Sequence, residues 1–158
     1  MNTPCHKAFT MIELIFVIVI IGILAAIAIP KLAATRDDAR ITAEISHAKN
    51  ILDNFQAYYT SQGNTVWQSA KANIATSVPL ETSCGNAIDP TTELSPNTFV
   101  LCEDNVICLS FITIDEGNLT ITSGTVETSV ICEAVKLDPA IAAISNKSYQ
   151  LGGEVVRR

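Results

Sequence analysis

The chain has 158 residues, 48 % of them apolar and 16 % charged, a balance that excludes a disordered polyelectrolyte and suits one ordinary domain rather than two. Ten Lys and Arg against sixteen Asp and Glu give a formal charge of −6, which repels phosphate backbones and speaks against direct nucleic-acid binding. The apolar residues are unevenly spread: residues 14–29 read LIFVIVIIGILAAIAI, whereas everything after Thr35 reads as ordinary water-facing polypeptide. A membrane segment with a soluble part attached is the class that fits.

Residues 9–29 would form a helix of about 31 Å, enough to cross a bilayer core. A secretory signal peptide is the rival, with a small-residue cut near Ala28, but such peptides have a shorter apolar core and the helical pattern here does not stop. Ala34, Ile41, Ile45, Ala48, Leu52, Phe55 and Tyr59 recur at steps of seven, four, three, four, three and four, so they share one helix face. No glycine falls between Gly22 and Gly63, and Pro30 can be carried as a kink. One helix over residues 9–62, roughly 80 Å long, is predicted. Its first half spans the membrane over about residues 9–30 and its second half is amphipathic.

Glu13 is the anomaly in this run. A carboxylate near the start of a membrane helix costs on the order of 2–3 kcal/mol, and less at headgroup level. A cut before Phe9 would place a new ammonium four residues upstream, within reach of this acid or of a neighbouring copy's. Orientation is contested on charge: Lys31, Arg36 and Arg40 follow the span and only Lys7 precedes it, which would put the soluble part in the cytoplasm. The cysteines point outward instead. Cys5 precedes the span, while Cys84, Cys102, Cys108 and Cys132 follow it, an even set that predicts two disulfides and an exported domain.

Past Gly63, residues 64–97 are rich in Ser, Thr, Asn and Pro and read as a long loop with one short helix near residues 67–75. Residues 98–103, 106–115 and 119–122 are β-rich and separated by turn residues, a three-strand antiparallel meander. Its apolar face (Phe99, Leu101, Leu109 and Phe111) would lie on the helical stripe between Ile45 and Tyr59. Asp138-Pro139 starts a helix over residues 140–144, and residues 148–156 read as a last strand. The four cysteines allow three pairings, among them a Cys102–Cys108 bridge across the hairpin. The preferred one joins Cys84 to Cys102 and Cys108 to Cys132, tying the long loop and the C-terminal segment to the central strands.

Little here suggests reaction chemistry. His47 sits near the helical stripe and reads as a packing or surface residue. The cysteine gaps are unlike paired zinc-ligand spacing, and Asp115-Glu116-Gly117-Asn118 reads as a hairpin turn rather than a calcium loop. No catalytic residue, metal or cofactor is expected, and the chain reads as a non-enzyme.

The run Lys7-Ala8-Phe9-Thr10-Met11-Ile12-Glu13-Leu14 followed by IFVIVIIGILAAIAIPKL strongly resembles the N-terminus of type IV pilins and of the pseudopilins of type II secretion. The resemblance covers about 30 residues, because an acid, a Gly, a Pro and an apolar run fall in register. It implies a leader over residues 1–8, cut between Ala8 and Phe9 by a prepilin peptidase, although Ala8 stands where the family usually has Gly. It further implies N-methylation of Phe9, a role in assembly for Glu13, and interruption of the apolar helix at Gly22 and Pro30. An α+β architecture follows, with a helical spine over residues 9–62 and a small antiparallel sheet in a head over residues 63–158. The implied partners are other pilin or pseudopilin subunits, the prepilin peptidase, the inner membrane and its assembly platform. The head would face the periplasm or the exterior, in line with the cysteines. The alternative is a monomeric periplasmic binding domain held by an uncleaved anchor.

Overall fold

Helix α1 (Met11–Ser69) opens the computed structural model, which describes residues 9–124 and 129–152. The chain divides into two units, Met1–Asp38 and Ala39–Arg158, and α1 contributes to both. In the first unit every large apolar side chain from Phe9 to Leu32 is at least 41 % exposed. This stretch lies in the only helix among the described residues that is long and apolar enough to cross a membrane.

The second unit is α+β. After α1 come α2 (Ala72–Ala75), β1 (Glu81–Ser83), β2 (Asn86–Ala87), β3 (Asn97–Glu103) and β4 (Val106–Ile114). A 3₁₀ turn, Asp115–Gly117, leads to β5 (Asn118–Ser123), α3 (Val130–Leu137), α4 (Pro139–Ile144) and β6 (Lys147–Gln150). The strands form one antiparallel sheet in the order β2-β1-β3-β4-β5-β6. The expected three-strand meander is therefore the centre of a six-strand sheet.

Register explains the core. Phe99 pairs with Phe111 and Phe111 with Ile121, while Leu101 pairs with Leu109 and Thr113 with Leu119. Strand alternation puts all seven on one face, and all are buried. Onto them pack Ala48, Ile51 and Phe55 of α1, fully buried, with Ile41, Ile45, Leu52, Tyr58 and Tyr59 at the margin. Phe55 meets Phe99 edge-on with ring centroids 6.1 Å apart. The buried Thr113 hydroxyl donates to Leu94 O at 2.5 Å and accepts from Asn97 N at 3.2 Å, so no polar atom is stranded there.

Local chemistry sets the breaks. Asp104 and Asn105 both take left-handed φ values of 51° and 64°, the two-residue turn that matches the twist of the β3–β4 hairpin. Ser129 caps α3 by accepting from Cys132 N at 3.3 Å, and Asp138 caps α4 by accepting from Ala140 N at 2.8 Å with Pro139 in its first turn.

Several expectations need correction. α1 does not stop at Gln62: it kinks at Gly63 (φ 77°, ψ 175°) and resumes to Ser69. That backbone region is open essentially to glycine only, and the change of direction carries Trp67 into the core against Phe55 and Tyr59. The single short helix over residues 67–75 is two pieces, split at Ala70-Lys71, and the loop read over residues 64–97 contains β1 and β2. Helix α3 was not anticipated at all. The last strand ends at Gln150, and residues 153–156 of the expected strand lie outside the described residues.

Two disulfides staple the sheet. Cys84, in the β1–β2 turn, is bonded to Cys102 of β3, and Cys108 of β4 to Cys132 of α3, with Cα–Cα separations of 5.4 and 4.8 Å.

Two substitutions test this account. A Cβ added at Gly63 meets nothing within 4 Å, so Gly63→Ala isolates the backbone cost and should destabilise the second unit by about 1–3 kcal/mol in thermal unfolding of the micellar protein. Replacing Cys108 and Cys132 together by Ser should cost about 3.5 kcal/mol, the loop-closure value for a 24-residue separation, read as a lowered denaturant midpoint.

Candidate subunit-assembly segment

Of the residues that the sequence singles out for processing and assembly, Phe9 and Glu13 lie at the start of α1. Ala8, on the leader side of the expected cut, lies outside the described residues, as does the whole 1–8 leader. Phe9 is 87 % exposed and precedes the helix. Thr10 closes its first turn. The Thr10 N–H donates to Glu13 Oε2 at 2.8 Å, the Thr10 hydroxyl donates to the same oxygen at 2.7 Å, and the Glu13 N–H donates to Thr10 Oγ1 at 3.3 Å. This is a capping box: the N–H groups of Thr10 and Glu13, which a helix N-terminus leaves without backbone partners, are each accepted by the other residue's side chain. The Glu13 carboxylate also lies where the helix dipole favours negative charge.

Glu13 is thus provided for within its own chain. The sequence carried a signal for this, Thr10-x-x-Glu13 ahead of an apolar run, which is the capping-box pattern. Gly22 and Pro30 both lie inside α1, and neither stops it; the residue with non-helical backbone is Gly63. Pro30 lacks an N–H, so the carbonyl of Ala26 loses its partner one turn earlier, a local weakness rather than an end. A Cβ at Gly22 would meet nothing within 4 Å, so this glycine is a smooth spot on the helix surface open to a close neighbour.

The remaining candidates sit in the second unit. His47 is half-buried, with Nδ1 3.7 Å from Glu44 Oε1. The Asp115–Gly117 turn is structural: Tyr59 Oη donates to Glu116 O at 3.1 Å, Gln150 Nε2 donates to the same carbonyl at 2.7 Å, and Ser95 Oγ donates to Asp115 Oδ1 at 3.2 Å. The ring of Tyr59 lies over Gly117 and Gly152, so close that a Cβ on either would overlap it. Sequence reasoning placed Tyr59 on the helical stripe and missed this seat, although two turn glycines marked it. Among the described residues no group of three or more His, Cys, Asp or Glu side chains could hold a metal ion.

Comparison with known proteins bears on this segment directly. Residues 4–29 match the family described as a prokaryotic N-terminal methylation motif. A fimbrial protein of Neisseria meningitidis serogroup B is 38 % identical over 77 residues, covering 49 % of this chain and 45 % of the relative. The type II secretion system core protein G of Pseudomonas aeruginosa is 40 % identical over 66 residues, 37 % of this chain and 46 % of that protein. The chain therefore spans about half the length of these curated relatives. The type IV wide pilus major component of Thermus thermophilus is matched further, at 34 % identity over 95 residues, 60 % of this chain and 70 % of the relative. No solved structure matches significantly. A methylation motif on the exposed apolar start of α1, and a relative matched over most of its length, lead to one conclusion: the chain belongs to the family of type IV pilins and type II secretion pseudopilins.

Proposed function

We propose that the protein is a structural subunit of a type IV pilus-like filament, a pilin or pseudopilin of a pilus, secretion or competence machine. In this reading a prepilin peptidase cuts between Ala8 and Phe9, and the new amine is methylated. The stretch over residues 9–30 holds the subunit in the inner membrane until the assembly platform extracts it. The observation that carries the reading is an apolar helical surface exposed all round from Phe9 to Leu32, with a single acid, Glu13, one turn from its start. A surface of this kind is stable only in lipid or against other apolar helices. Assembly exchanges the first environment for the second.

Glu13 supplies the direction. In the single chain its charge is met by Thr10 alone among the described residues, through one oxygen. After cleavage the Phe9 ammonium, its own or that of an adjacent subunit, offers this carboxylate an ion pair in a medium of low dielectric constant. An adjacent subunit's amine would fix the axial register between copies, which apolar packing alone sets weakly. The two disulfides support a periplasmic or external head, since such bonds persist in oxidising compartments. The subunit does its work by packing and carries out no reaction.

Glu13→Ala should insert in the membrane at the wild-type level yet enter filaments about ten-fold less, measured as sheared or cross-linked multimers against membrane-resident monomer. Wild-type incorporation of this variant would remove Glu13 from the mechanism. In cells with a prepilin peptidase, the intact non-reduced mass should match a chain that begins at Phe9, carries one methyl group and lacks the hydrogens lost to two disulfides. A full-length mass would favour the uncleaved, monomeric anchor instead.

A further inference from the structure

A cluster of charged side chains lies where α1 meets β3, away from the assembly segment. Arg40 Nη2 contacts Glu103 Oε1 and lies 3.0 Å from Asp104 Oδ1, joining α1 to the end of β3 and its turn. One turn further along α1 comes Glu44, and then His47. The side chains of Glu44 and Glu103 are only 14 % and 12 % exposed. Glu44 Oε2 is out of contact with solvent and has no hydrogen-bond donor among the described residues. A cleft of about 130 Å³, lined by Glu44, His47, Pro79, Glu81, Leu101 and Cys102 among others, runs up to the cluster from outside. Glu44 and Glu103 thus lie near one guanidinium and one imidazole, with Asp104 on the guanidinium and Glu81 in the lining of the cleft.

A buried carboxylate oxygen without a donor is costly when the group is ionised and far less so when it holds a proton. Arg40 is engaged by Glu103 and Asp104, and its charge offsets the burial of Glu44 only in part. The cleft gives water, and hence protons, access to the site. We propose that Glu44, enclosed by Arg40 and His47 on its own helix, Glu103 and Asp104 on the β3 side, and Glu81 of β1, is a proton-binding group that fastens α1 to β3 more tightly as the surrounding medium acidifies.

Burial pushes the Glu44 carboxyl above its ordinary value; the His47 charge opposes this, the Glu103 charge adds to it, and the polar contact with His47 and the Arg40 charge oppose it. A carboxyl whose folded pKa exceeds its unfolded one contributes stability that is fully present below the unfolded value, about 4.5, and is lost as pH rises through the folded value. The joint therefore strengthens from neutral pH down toward the ordinary carboxylate range. This behaviour does not depend on the filament reading, because it resides wholly in the second unit.

The test is thermal unfolding of the full chain in uncharged-detergent micelles from about pH 7.5 to about pH 5. Glu44→Gln, which is isosteric and uncharged, should melt a few degrees above wild type at the upper end, with the difference shrinking toward the lower end. His47→Gln should keep a slope of the wild-type sign. A constant difference between wild type and Glu44→Gln, or a slope lost in His47→Gln and kept in Glu44→Gln, overturns the proposal. Hydrogen exchange of wild-type residues 40–52 supplies a readout without substitution: protection, corrected for intrinsic rates, should rise several-fold on acidification, and constant or falling protection counts against the role of Glu44.

Discussion

The contact between the apolar stripe of α1 and the inner face of the sheet is the interaction on which the rest of the second unit depends. Ile51 and Phe55 supply the helix side, and Phe99, Leu101, Leu109 and Phe111 supply the sheet side, all buried. At about 1.5–3 kcal/mol for each large side chain removed from water, this contact exceeds every polar feature of the head. It also decides where the smaller elements go. The kink at Gly63 returns Trp67 to the same core, and the Trp67 indole N–H finds Ile114 O at 3.3 Å at the end of β4. Tyr59 then has no room except across Gly117 and Gly152, which fixes the 3₁₀ turn and the end of β6.

Helix α1 is written for two solvents. Through residue 32 its apolar side chains point in every direction, as lipid requires; from Ile41 onward they keep to one stripe, as a helix packed on a sheet in water requires. Glu13 belongs to the first regime and is tolerated because the backbone and hydroxyl of Thr10 bind it within one turn. Arg40, Glu44 and His47 belong to the second, where charges at the edge of the stripe meet those of β3. Between Glu13 and Lys31 the helix carries no charged residue; from Lys31 on, charged and polar residues recur through to Ser69.

Much of this was legible because the strong periods are long. The stripe from Ile41 to Tyr59 spans five helical turns, and β3, β4 and β5 are long, β-branched and separated by turn residues, so local preference and tertiary packing agree. The misses fall where elements are short or locally ambiguous. β1 and β2 have three and two residues and exist through pairing with neighbours rather than through any pattern of their own. Helix α3 begins Val-Ile-Cys, which favours strand, and its disulfide and its Ser129 cap decide the matter instead. Gly63 was read as a stop because glycine commonly ends helices; whether the chain stops or turns there depends on Trp67, four residues on, having a core to enter. In the assembly segment, attention to the membrane cost of Glu13 hid the simpler relation between Thr10 and Glu13.

The two disulfides have a mechanical consequence. Both anchor to the β3–β4 hairpin, on either side of the Asp104-Asn105 turn, and they close loops of 18 and 24 residues of sequence separation. If the ends of the second unit were pulled apart and its sheet gave way, those loops would not pay out. About 150 Å of contour length would stay locked behind sulfur–sulfur bonds. A head built this way can lose its hydrogen bonds under tension and still remain short, with its strands close enough to pair again when the load is released.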